Sequence, residues 1–183
     1  MNKYLDSVLK QFRYYKSLGD KSMTFLNDHD IHWQYNDQSN SMAVMVKHIA
    51  GNMLSRWTNF LTEDGEKSWR HRDQEFEDTI SSKAEMLEVW EKGWAVLFNA
   101  ITPLQEDDLN RIVYIRNEGH TVTEAINRQL MHYSYHIGQM VYLARMIAGE
   151  NWTSLSIPKG QSVEYNERKF SEEKGERHFT EDL

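Results

Sequence analysis

The chain has 183 residues, which suits one domain, and 39% of them are apolar, enough to bury a core. Its net charge of -7, without any basic cluster, excludes a nucleic-acid footprint, and no stretch of roughly 18 apolar residues is available to cross a bilayer. Cysteine is absent, which excludes disulfides, cysteine metal ligands and a protein thiolate nucleophile.

The N-terminal MNKYLDSVLKQF carries an acid and no continuous apolar run, so it reads as no signal peptide and the expected location is cytoplasmic. Prolines occur only at 103 and 158, which leaves long stretches free of helix breakers. Residues 3–27 predict a first helix, with Leu5, Val8, Leu9, Phe12 and Tyr15 at amphipathic spacing. Residues 27–41 are polar and loop-like. Ser41 is a candidate N-cap for a second helix over 42–61, whose inward face would carry Met45, His48, Ile49, Asn52, Met53 and Phe60. Residues 62–80 are dense in charge and read as a long connection lying on the surface.

Ser82 and Glu85 fit a capping box that opens a third helix over 83–102, with Met86, Val89, Trp90, Leu97 and Ile101 inward. Residues 109–116 are β-branched and aromatic, and Asn117-Glu118-Gly119 has turn chemistry, so a short β-hairpin is expected. Thr121 and Glu124 form a second capping box, opening a fourth helix over 122–149 that Gly149 can end. Ile126, Leu130, Tyr133, Ile137, Met140, Ala144 and Ile147 advance in steps of four and three, the seam of a bundle helix. The expected fold is all-α, a four-helix bundle with a long crossover connection and a short β-hairpin before the last helix. Beyond residue 150 helical periodicity fades. Trp152, Leu155 and Ile157 suggest an ordered arm, and residues 166–183 read as a polar, solvated tail.

His132 and His136 are four residues apart, so a helix stacks their imidazoles on one side, one turn apart. They share a stripe with Ala125 and Leu143, which argues for burial. A buried imidazole needs hydrogen-bond partners or a metal to offset lost hydration. The spacing alone leaves both readings open. His48, on the core face of the second helix, favours a metal, because bundle cores build such sites from facing helices. Three histidines leave coordination positions open, as catalytic sites do. Zinc is the first expectation for such a divalent transition metal; nickel and copper are compatible, and manganese or iron would suit an added water shell.

The remaining histidines carry less weight. His29, His32 and His178 are expected at the surface. His120 lies close enough to the fourth helix to reach a site mouth. The run from Trp69 to Asp73 could guard that mouth, but its composition fits a solvated connection better. Asn52 and Gln139 could orient ligands or fill polar gaps in the core. Glu124 is best explained as a cap.

KHIAGNM in the second helix and TVTEAINRQLMHYSYHIGQMVYLARMIAG in the fourth together resemble the DinB-like superfamily, as do WRHRDQEF in the connection and SLSIPKGQS near the C-terminus. The resemblance is closest to a bacterial branch of unknown function and covers about residues 1–165, with 166–183 outside it. It implies a four-helix bundle that holds a metal through His48, His132 and His136, and homodimers formed by bundle packing. Characterised members of the superfamily include S-transferases that use bacillithiol or mycothiol and a thiol-dependent maleylpyruvate isomerase. The expected activity is therefore transfer of a low-molecular-weight thiol to a small electrophile, the thiol arriving as cosubstrate because the chain has none. A metal-dependent hydrolase ranks lower, since the ligand helices offer no inward carboxylate near the histidines. A non-catalytic, stress-associated metal-binding dimer is a further alternative. No general base is assignable.

Overall fold

The computed structural model describes residues 3–181. It is mainly helical, with one small sheet. Helix α1 (Lys3–Thr24) buries Leu5, Val8, Leu9 and Phe12, as their spacing predicts. A 3-10 turn at Asp30–His32 inserts Ile31 into the core from an otherwise polar loop. Helix α2 (Met42–Trp57) starts where Ser41 accepts a hydrogen bond from the Val44 amide, and it ends four residues earlier than its apolar pattern suggested. Helix α3 (Lys83–Ile101) opens with Ser82 capping the Glu85 amide. Its capping box is only half present. The Glu85 carboxylate accepts from the amide and hydroxyl of Ser81 instead of the Ser82 amide.

The hairpin forms, with a turn displaced from the one expected. Strands β1 (Ile112–Ile115) and β2 (Glu118–Thr121) pair antiparallel, Ile112 with Thr121 and Ile115 with Glu118. Arg116 and Asn117 make the two-residue turn, at φ 57° and 61°. Both turn residues being left-handed gives the hand that matches strand twist. The Asp64 carboxylate accepts from both turn amides, at 2.8 Å each, and Gly65 donates to Tyr114. Bonding to the chain from residue 64 thus supports a turn lacking glycine.

Helix α4 (Val122–Ala148) begins at a complete capping box of Thr121 and Glu124 and stops at Gly149, whose φ of 54° suits a residue without Cβ. Helix α2 packs most extensively on α3, and α1 on α4, while α2–α4 and α1–α3 contacts close the ring. At the centre Phe12, Trp57, Trp94 and Tyr133, one from each long helix, meet edge to face. The Trp57 indole donates to the Tyr133 hydroxyl, which donates to Asn52 Oδ1, both at 3.0 Å. Asn52 therefore satisfies a core tyrosine.

The region after residue 150 contains a helix that its sequence pattern concealed, α5 (Ser162–Ser171), which buries none of its residues. Trp152 packs on Phe25 at 4.7 Å, so the arm is ordered there. Residues 166–181 are mostly exposed, as a solvated tail would be, and some of them touch α1. Glu176 pairs with Lys3 and Glu181 with Lys10, and His178 bonds Ser7 at 3.0 Å. No described helix is long and apolar enough to cross a membrane.

Candidate functional site

Burial of Tyr133 at the aromatic centre fixes the rotation of α4 about its axis. One residue is about 100° on a helix, so His132 and His136 are carried to the side that faces α2. There they meet His48, 5% exposed, on the core face of α2. Ring centroids lie 5.5 Å apart for His48 and His132, 5.0 Å for His48 and His136, and 4.8 Å for His132 and His136. One nitrogen from each of the three falls within 4.8 Å of the others. The histidines singled out by helical spacing are brought together.

Each outer ligand candidate has a partner that sets its tautomer. His48 Nδ1 donates to Glu75 Oε2 at 2.9 Å. His136 Nδ1 donates to Gln139 Oε1 at 2.9 Å. Both acceptors lack a proton to give, so Nδ1 carries the hydrogen and Nε2 keeps its lone pair. His132 Nε2 and His136 Nε2 are 3.1 Å apart. Two nitrogens held about 2.1 Å from one zinc ion at the tetrahedral angle lie roughly 3.4 Å apart. The donor chemistry and spacing fit a single transition-metal ion.

Electrostatics keep His132 and His136 neutral. Burial, followed by the neighbouring His136 and His48, pushes the His132 imidazole down to about 3. Burial and the His48 charge also lower His136, against the hydrogen bond to Gln139. Neutral imidazole is the form that ligates metals.

The charge-dense connection was expected to lie in solvent, and this is where the structure differs most. Its 3-10 turn, Arg72–Phe76, packs on α2. Glu75 is buried, and the Arg70 side chain is only 3% exposed. Arg70 grips Glu75 through Nε at 2.7 Å and Nη2 at 2.9 Å, and reaches Glu66 at 3.3 Å. Glu66 in turn accepts from Arg56 of α2 at 3.0 Å. Burial would raise the Glu75 carboxyl, but hydrogen bonds from His48 and Arg70 outweigh it and hold the group below the usual carboxylate range. Phe76 stacks on His48 at 4.7 Å, and the Arg72 guanidinium lies over the Phe76 ring at 5.1 Å.

The sequence assigns no role to Glu75 or Phe76, and places Arg70 only in a run that could guard the mouth, because alternating charges resemble a solvated segment. One signal was present. Gly51 lies three residues after His48 on α2, and a Cβ there would collide with the Glu75 carboxylate. A glycine inside a helix costs about 1 kcal/mol relative to alanine, so it marks a close approach. The other histidines stay outside the cluster. His29 and His71 are exposed, His32 bonds Asp78, His120 bonds Arg128, and His178 lies half-buried against α1. Glu124 acts as the cap it was read to be.

Among curated proteins no match was found. A family model, described as "Protein of unknown function (DUF1572)", matches residues 1–161, a span that contains all three clustered histidines, Glu75 and Gln139. The chain belongs to the DUF1572 family.

Proposed function

We propose that this protein is a metal-dependent thiol S-transferase of the DinB-like superfamily, built as a four-helix bundle. His48, His132 and His136 would hold one divalent transition metal, zinc by first expectation. The observation that carries the reading is the convergence of three imidazoles, two of them with Nδ1 tied back to Glu75 and Gln139. A closed structural zinc site has four protein ligands, whereas three leave a position for a reactant. When bound, the metal supplies Lewis acidity that favours the deprotonated form of a thiol.

The chain's own groups have separable tasks. Glu75 and Gln139 keep the protons on the outer nitrogens of His48 and His136. Arg70 neutralises and fixes Glu75. Phe76 covers one face of His48 and keeps water from it. The thiol comes from a cosubstrate, since the chain has no cysteine. In the transfer, a bond forms between the thiol sulfur and the electrophilic carbon. The leaving group departs with its bonding pair, and the thiol proton goes to solvent.

A hydrolase reading would want a carboxylate free to act as base. Glu75 is the carboxylate nearest His48, and both its oxygens are engaged by His48 and Arg70. The discriminating experiment is thiol conjugation by metal-loaded protein, with His132→Ala as control. Conjugation above background in the parent and its loss in the variant is the expected result. Equal turnover by both proteins would remove the transferase reading.

A further inference from the structure

Beside the histidine cluster the surface opens into a groove of about 640 Å³, within the range of roughly 300–1,000 Å³ typical of small-molecule sites. The histidines do not line it, but two of their neighbours do. Gln139, which holds His136, lines the groove, and so does Met45, one helical turn before His48. Gln139 also donates through Nε2 to the Tyr135 hydroxyl at 3.1 Å, so its amide is held at the junction.

The walls have a definite chemistry. Tyr35 and Tyr142 stand on them, 72% and 67% exposed, with Met45, Leu143 and Met146 between. The polar rim is amide and hydroxyl: Gln38, Ser39 and Asn40. None of the lining residues bears a charge, although 27% of the chain does. An anionic group placed here would lose hydration with no cation to repay it. Aromatic faces and thioethers instead favour a flat, polarisable guest.

We infer that this groove is the acceptor subsite and that it takes an uncharged aromatic molecule, with amide or hydroxyl contacts at its rim. The assignment of an acceptor role rests on the transferase reading above; the ligand class rests on the groove alone. Selectivity arises from what the walls omit: a carboxylate of the same shape is disfavoured because none of the lining residues is a lysine or arginine.

The matched probes are 4-nitrotoluene and 4-methylbenzoate, nearly identical in shape and different in charge. Binding to the full, zinc-loaded chain is read from the methyl resonances of Met45 and Met146. The neutral probe is expected to bind tighter by on the order of tenfold, shifting those two methyls. Tyr142→Lys, and separately Met146→Lys, should narrow or invert the ratio. Equal affinity for the two probes, shifts confined to other methionines, or a ratio unmoved by both lysine variants would overturn the assignment. So would loss of binding as protein concentration rises together with dimer formation, because a second copy would then fill the groove. The same titration on His132→Ala separates the two claims. Retained binding without metal or conjugation upholds the groove, whatever becomes of the transferase reading.

Discussion

His48 and Glu75 form the contact on which the cluster's alignment most depends. A carboxylate accepting from the outer nitrogen of a metal-binding histidine fixes ring orientation and raises basicity, and its removal typically costs about 10–100-fold in metal affinity. Glu75→Gln should weaken zinc binding by roughly that factor in a chelator competition, because the amide keeps the shape and loses the charge facing His48 and Arg70. Gly51→Ala should act in the same direction, since its methyl displaces the same carboxylate. Unchanged affinity in both variants would show that Glu75 does not orient the site. The pH response follows from His132, whose pKa falls from 6.5 in the unfolded chain to about 3 in the folded protein. The unfolded state therefore takes up the proton first. Metal-free protein should keep this contribution in full above pH 6.5 and lose it progressively as pH falls towards 3. His132→Phe should flatten that part of the acid melting profile; an identical profile would contradict the assignment.

The elements differ in how openly the sequence announces them. Helix α4 was readable in full, because its caps and its four–three steps agree on one answer. The histidine pair followed directly from that periodicity, and His48 from the core face of α2. The hairpin was legible as strands but not in its turn, since Arg116-Asn117 lacks the glycine that usually signals a left-handed pair. Its support comes from Asp64, fifty-odd residues earlier, and local sequence does not encode such a contact. Asp64→Ala should therefore destabilise the protein by about 1–3 kcal/mol, the net worth of hydrogen bonds accepted by a charged group, visible as a lowered denaturation midpoint. A change within experimental error would mean that the turn stands without it. Helix α5 was hidden for a different reason: with no buried face it has no apolar period to read. Most of the 62–80 connection lies on the surface, as its charge suggests, but the few residues that turn inward are hidden because residues that pair inside a fold have the same composition as residues that face water.

At the scale of the whole molecule, one aromatic centre and one polar layer divide the labour. Phe12, Trp57, Trp94 and Tyr133 bind the four long helices together and set the rotation of α4. The Arg56–Glu66–Arg70–Glu75 chain ties the connection to α2 beside the histidines. Buried ion pairs of this kind seldom add net stability; here the chain positions Glu75, the partner of His48. Metal binding should therefore stabilise the fold as a whole. Zinc at about a hundredfold excess over its Kd would add about 2.7 kcal/mol, roughly 5–10 °C in Tm for a chain of this size. The most direct measurement is metal content, by mass spectrometry after dialysis, of zinc-loaded protein prepared without a histidine tag. Parent protein should retain about one ion per chain, and His48→Ala, His132→Ala and His136→Ala should each retain far less. Parent protein that emerges metal-free, or variants that hold as much zinc as the parent, would contradict the three-histidine site.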